Sequence, residues 1–430
     1  MPSVEELCEA RRWDEAEIAC RQVLAAEPGN AAALFALARI ALGRGEDAAC
    51  RQLRAIVPRT AGDIDMALSA AKMLLRFGDL EGAAAGLRHV TAIEPRRFAP
   101  WFELGRIEET LGRPQAALAA YEQAIAINEG DGGPWTRRGV IMLRESFGAP
   151  LRTPREKRQA SGLERPITMT SLGYNGRFGN QLLQYVFARC YGAKHSLRVE
   201  VPEWMGRWLF DLSDPYPDPS RPLPLLREQG AMFLNSWTGS SNEVFSEHDL
   251  WGYFGYHTRH YLPYRDFIRT LFRPGARIGP IVERDLGRLR EQGRTLVALH
   301  LRRGDYGKEE RFWIAPEEWY LAWLDSIWAE LEQPLLYIAS DDPEIHRRFA
   351  SFRPLTSALF DRLIPGAEFY HDFYVLAHAD RLAISNSNFS FLAAMLNERA
   401  SAFLRPHPDL SGLVRFDPWD AQQLLQKSRT

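Results

Sequence analysis

Cysteine is scarce in this chain: Cys8, Cys20, Cys50 and Cys190 are the only four, scattered, with no Cys-x-x-Cys pair and no histidine at ligand spacing. That pattern gives no sign of zinc and suits thiols kept reduced in a cytosol. A surplus of one charge is missing too. The formal net charge is -2 and the pI is near 6.6, which argues against a general nucleic-acid binder, so any anion recognition must be local. No apolar run reaches transmembrane length, and the opening "MPSVEELCEARRWDEAEIAC" is charged and helical, without the apolar core of a signal peptide. A cytoplasmic protein is therefore expected, with a peripheral position at the inner membrane left open. Apolar residues are not lacking: at 46% of 430 residues they can build sizeable cores, and the length favours two or three folding units.

Residues 1–147 are rich in Ala, Leu, Glu and Arg and almost free of strand-like runs. Similar endings recur at Pro28, Pro58, Pro95 and Asn128; the last two are 33 residues apart, the period of stacked helical hairpins. In "PWFELGRIEETLGRPQAALAAYEQAIAIN", Trp101, Leu104, Gly105, Ala117, Tyr121 and Ala124 match the tetratricopeptide pattern. Small Gly105 and Ala117 let two helices approach while Trp101 and Tyr121 fill the gaps. A looser unit spans 64–97 through Ala71, Leu74, Gly78, Ala83 and Pro95. "GGPWTRRGVIMLRESF" restarts the pattern at Trp135 and Gly139 without a second helix, so it reads as a closing helix. Three to four repeats are expected over 1–147, either as a scaffold or as a concave surface for a protein partner.

Residues 148–166 are polar, with prolines and the basic run Arg152, Arg155, Lys157, Arg158, and read as a solvated linker. Beyond Ile167 the composition changes. "ITMTSLG", "TLVALHL", "LLYIAS" and "RLAIS" are short apolar runs, each followed by a polar or glycine-containing turn and an amphipathic segment. That alternation predicts an α/β fold with parallel sheets, which collects its chemistry beyond the carboxyl ends of the strands.

The unusual residues lie at those ends. Gly173, Gly176 and Gly179 lead from the first run into a helix near Asn180, a turn that lets backbone approach a ligand and offers helix-start N–H groups to an anion. Its spacing is not GxGxxG, so no nicotinamide cofactor is read there. After the second run come His300, Arg302, Arg303 and Asp305. Either arginine can fork two donors onto a phosphate, Asp305 can hold a guanidinium in place, and His300 can donate to a phosphate or an acceptor hydroxyl. A structural Arg–Asp pair beside a packed His300 is the bland alternative. Ser340, Asp341 and Asp342 follow the third run, where one acid can cap the next helix and the other can meet a ribose or base. Ser385, Asn386, Ser387, Asn388 and Ser390 follow the fourth and supply hydroxyls and amides for phosphate or sugar oxygens, or an elaborate N-cap. No carboxylate cluster resembles a metal cage.

"GRFGNQ" at 176–181, "HLRRGDY" at 300–306, "SDD" at 340–342 and "ISNSNFSFLAAML" at 384–396 occur in an order that resembles the α1,2-fucosyltransferases. The His-x-Arg-Arg-x-Asp core is shared with α1,6- and protein O-fucosyltransferases, and the resemblance covers roughly 167–410. It implies a GT-B-type enzyme of the hexosyltransferase class. Two Rossmann-like halves, 167–285 on the acceptor side and 286–430 on the donor side, would use GDP-β-L-fucose without a required metal. It implies that Arg302 grips the β-phosphate and stabilises the departing GDP, braced by Arg303 and Asp305. Ser385, Asn386, Ser387 and Ser390 would be phosphate-side donors, Asp341 or Asp342 the nucleoside contact, and Asn180 a reach across the cleft. The general base stays open among His300, Asp305, Glu309 and Glu310. Phe391 and Leu392 replace the family's aromatic pair, and the aromatic segments "WMGRWLF", "NSWTGSSN" and "WGYFGYHTRHY" transfer no acceptor pattern. The leading expectation is an inverting fucosyltransferase acting on a glycan. The alternatives are a protein O-fucosyltransferase that recruits its substrate through the repeats, and a non-catalytic repeat adaptor with a degenerate transferase domain.

Overall fold

A computed structural model describes residues 6–7, 10–27, 30–43, 53–54, 64–150, 165–308 and 313–426. The repeat endings at Pro28 and Pro58, the basic run of the linker, Glu309 and Glu310 lie outside the described residues. The chain divides into two compact units, Met1–Glu129 and Gly130–Thr430.

Described elements of the first unit are helices: α1 (Trp13–Ala26), α2 (Ala31–Gly43), α3 (Ile64–Arg76), α4 (Leu80–Ile93), α5 (Phe98–Thr110) and α6 (Pro114–Ile127). They pair as hairpins, α1 with α2, α3 with α4 and α5 with α6, and α4 packs on α5. The hairpin turns use Gly78 and Gly112, both left-handed at φ +76° and +72°. They stand one tetratricopeptide period apart, where a side chain would strain the turn. Asp79 then starts α4 by accepting from the Gly82 N–H at 3.0 Å, and Pro114 opens α6. Alanines and leucines of α3 and α4, with Leu104 and Ile107 of α5, form a buried core.

Gly105 of α5 lies against the fully buried ring of Tyr121 in α6; a Cβ there would sit 2.4 Å from the ring Cε1. Tyr121 also donates its hydroxyl to Glu109 at 3.0 Å, which fixes the ring. Gly105→Ala is therefore expected to cost about 1–3 kcal/mol, the usual penalty of overpacking. Denaturant unfolding followed by helical circular dichroism checks this, and an unchanged repeat transition would count against the close packing.

The second unit begins with α7 (Gly132–Phe147), the closing helix that the repeat pattern assigned to residues 1–147. Its Val140 and Leu143 are buried in the core of the second unit, and this is why the division falls after Glu129 instead. There follow β1 (Pro166–Thr168), α8 (Phe178–His195), β2 (Arg198–Glu200), α9 (Gly206–Leu209), β3 (Leu225–Arg227), α10 (Met232–Thr238) and β4 (Asp249–Trp251). Next come α11 (Arg265–Leu271), α12 (Gly279–Arg290), β5 (Thr295–Leu301), α13 (Glu317–Ile327), β6 (Pro334–Ser340) and α14 (Tyr370–Leu376). The last elements are β7 (Arg381–Ala383), α15 (Asn388–Leu396), β8 (Phe403–His407) and β9 (Gly412–Arg415).

These strands make two sheets. The first has the order β2-β1-β4-β3 and is parallel throughout; the second has the order β6-β5-β7-β8-β9, parallel except for the β8–β9 pair. β5 is inner and buried from Leu296 to Leu301, which accounts for its unbroken apolar sequence. β1 is shorter than its apolar run because the carboxylate of Asp249 accepts the Thr170 N–H at 2.8 Å, turning the chain out of the ladder. Among the described residues no helix is long and apolar enough to cross a membrane.

Candidate functional site

β5 lies between β6 and β7, so three of the four polar strand ends are neighbours. Leu301 pairs with Ser340, and Leu299 pairs with Ala383. Ser340 Oγ donates to the Leu301 carbonyl at 2.6 Å and joins the first two ends directly.

At the end of β5 the two arginines diverge. Arg302 Nη1 lies 2.8 Å from Asp341 Oδ2, and the Arg303 N–H donates to Asp341 Oδ1 at 2.7 Å. One carboxylate thus fixes both the guanidinium and the backbone that carries it. Gly304 makes room for this, since a Cβ there would stand 2.5 Å from Asp341 Oδ2. Tyr306 adds its ring, 5.4 Å from Arg302 Cζ. Arg303 turns instead to Glu317 at the start of α13, with Nε donating at 3.1 Å, and its Nη1 donates to the Arg302 carbonyl at 3.1 Å. Among the described residues, Arg303 and Asp341 both support Arg302. Asp341 was expected against a nucleoside; its two oxygens are engaged here. Asp342 accepts the Glu344 N–H at 2.9 Å and caps the following turn. The backbone of Asp305 belongs to a short 3₁₀ turn, Gly304–Lys308; its side chain lies outside the described residues.

His300 is buried at the end of β5, with Nδ1 2.7 Å from Ser385 Oγ and its ring 5.2 Å from that of Phe389. Burial, followed by the positive charges of Arg302 and Arg303, pushes its pKa down to about 3. The imidazole is neutral, and its hydrogen bond to Ser385 ties two strand ends together. The unfolded chain has an ordinary histidine near 6.5 and takes up a proton that the folded one refuses. Stability from this site is therefore complete above about pH 6.5 and lost as the pH falls from there toward about 3. His300→Asn is expected to flatten the acid side of the stability profile, by up to about 1.4 kcal/mol for each unit of pKa shift removed. Urea unfolding at several pH values measures it; equal slopes in both proteins would contradict the assignment.

The serine cluster separates into different roles. Ser385 holds His300. Asn386 donates its amide to the Leu425 carbonyl at 2.8 Å and accepts the Leu425 N–H at 2.8 Å. Both ends of its side-chain amide are thus bonded to the C-terminal segment. Arg405 grips the same segment through the carbonyls of Gln422 and Gln423. Ser390 is fully buried and bonds back to the Ser387 carbonyl at 3.3 Å. Ser387, the N-cap of α15, makes no side-chain capping bond, and its hydroxyl has no partner among the described residues. Of the four, Ser387 is the one whose side chain is left for a ligand.

The glycine turn meets this cluster from the first sheet. Gly179, in the first turn of α8, lies against the backbone that starts α15: a Cβ there would stand 2.5 Å from the Phe389 nitrogen. Asn388 Nδ2 donates to Asn180 Oδ1 at 2.6 Å. Asn180 Nδ2 lies over Gly176, where a Cβ would come within 2.6 Å, and has no partner among the described residues. Two helix N-termini with their positive dipole ends therefore converge beside His300 and Ser387. Sequence reasoning underrated Asn388, which stood in the quoted motif, and missed Glu317, for which no local pattern exists.

The sequence profile of the tetratricopeptide-repeat family matches residues 4–64 and 66–132. No curated protein matches the chain. Solved structures with similarity include MamA, 19% identical with a TM-score of 0.29, covering 34% of this chain and 87% of its own. MamA from Desulfovibrio magneticus RS-1 is 13% identical with a TM-score of 0.27, covering 34% and 82%. YrrB, a tetratricopeptide protein with an unusual peptide-binding site, is 12% identical with a TM-score of 0.28, covering 33% and 74%.

Proposed function

We propose that this chain is a glycosyltransferase in which residues 4–132 bind a protein partner and the second unit transfers a sugar from a nucleotide donor. The repeat match supports the protein-interaction role. The transferase reading is supported by one observation above all: two helix N-termini meet through Gly179, Asn180 and Asn388 next to His300, and Arg302 follows His300 at the end of the same strand. The resemblance of the motifs narrows this reading to a GT-B-type enzyme that takes L-fucose from GDP-β-L-fucose.

In the reaction an acceptor hydroxyl attacks the anomeric carbon from the face opposite GDP. Its proton passes to a base, the bond from that carbon to the β-phosphate oxygen breaks, and the electron pair leaves with GDP. Arg302, fixed by Asp341, stabilises the charge that grows on the leaving phosphate. Ser387 and Asn180 supply neutral donors for oxygens of the pyrophosphate or the sugar.

A second reading is favoured by the repeat match: an adaptor whose second unit does no chemistry. Release of GDP from GDP-fucose, assayed with glycan and protein acceptors, separates the readings. Removal of residues 1–129 then tells the acceptors apart. A glycan enzyme keeps its activity on small acceptors, whereas a recruiter loses only its protein substrate. No GDP release with any acceptor leaves the adaptor.

A further inference from the structure

We infer that α7, the helix read from sequence as the close of the repeats, is a working part of the second unit, and that Thr136 is a positioning residue for the glycine turn 173–181. This rests on the transferase reading above for its kinetic consequence only. Gly132, at the start of α7, lies so close to the turn that a Cβ would stand 2.3 Å from the Gly176 carbonyl carbon and oxygen and 2.7 Å from the Arg177 nitrogen. Thr136, one helical turn on, is 3% exposed and accepts from Gln181 Nε2 at 2.6 Å. Gln181 is fully buried, and the same Nε2 donates to the Gly176 carbonyl at 2.9 Å. One amide nitrogen therefore ties the helix, the glycine turn and the first turn of α8 together at the residue next to Asn180. Arg137 reinforces the contact, with Nη1 donating to the Glu203 carbonyl at 2.8 Å and its guanidinium 5.3 Å from the Tyr174 ring. Further along, Gly139 meets Gly366, a Cβ on the former standing 2.5 Å from the latter's carbonyl oxygen.

Gly176 is left-handed at φ +76°, so the turn depends on outside support to keep its shape. Thr136 supplies that support from a segment that contributes no motif residue. Loss of its hydroxyl leaves part of the buried Gln181 amide unpaired and loosens the presentation of Asn180 without removing any ligand contact. In the full chain, Thr136→Val keeps the side-chain shape and is expected to raise the KM for GDP-fucose about tenfold, with kcat nearly unchanged. Amide hydrogen exchange at 173–181 should quicken by a similar factor while the rest of the second unit keeps its protection. Thr136→Ser, which retains the hydroxyl, is expected to restore both, and Gln181→Met to reproduce the Thr136→Val effect on exchange. Unchanged exchange and unchanged KM in Thr136→Val, or failure of serine to rescue, overturn the inference. If the wild-type chain turns over no GDP-sugar, the transferase reading fails, and the exchange measurement alone decides the role of Thr136.

Discussion

Arg302→Ala is expected to lower GDP-sugar turnover by about 10²–10³-fold, the range seen when one preorganised donor to a developing anion is removed. The size of the effect follows from preorganisation. Asp341 holds Arg302 Nη1 at 2.8 Å and, through the Arg303 N–H, the backbone behind it, so in the proposed transfer the guanidinium would require no reordering as charge develops on the leaving phosphate. Arg303 is turned toward Glu317, which holds its Nε, while the Arg302 carbonyl holds its Nη1, so it is not placed to take over. Arg302→Lys keeps the charge and loses the planar fork, so it should recover only part of the activity. Asp341 is partly exposed and can be hydrated in the variant, so the fold should survive. Steady-state kinetics with near-UV circular dichroism as the folding control measures this, and full activity in Arg302→Ala would sink the assignment of the phosphate grip.

Gly179→Val should do comparable damage by a different route. Even a Cβ at Gly179 would stand 2.5 Å from the Phe389 nitrogen and 2.8 Å from the Asn388 carbonyl carbon. Backbone is the obstacle on the α15 side, so no side chain can swing clear. The two helix starts must separate, at a cost of about 1–3 kcal/mol for the overpacking. Separation pulls Asn388 from Asn180 and shifts Phe389, whose ring lies 5.2 Å from His300 and 5.4 Å from Phe373. A lower unfolding midpoint together with weaker GDP-sugar binding is the expected result. Stability and binding both equal to wild type would mean that the two motifs do not meet as described.

What the sequence made legible was local. The tetratricopeptide period could be read because Gly105 and Tyr121 pack within one hairpin, and Gly78 and Gly112 mark successive turns. The strand of β5 could be read because it is buried on both faces and carries no alternation. The partnerships were not legible, because they join residues far apart in the chain. Asn386 looks like any N-terminal amide of a helix until Leu425, 39 residues on, occupies both its ends. Asp341 follows its own strand as an acid at a helix start, and only the β5–β6 register carries it to Arg302. α7 shows the same limit. Its Trp135 and Gly139 obey the repeat pattern, yet its buried face belongs to the second unit, and a helical period does not say which neighbour covers a helix.

In the proposed function the second unit binds a GDP-sugar through Arg302. Titration calorimetry of the full chain with GDP-fucose, GDP-mannose and a UDP-sugar tests it most directly. Saturable binding of GDP-fucose, weaker or absent binding of the UDP-sugar, and loss of the signal in Arg302→Ala are expected. No heat from any of the three at millimolar nucleotide would contradict it and leave the chain as a repeat adaptor.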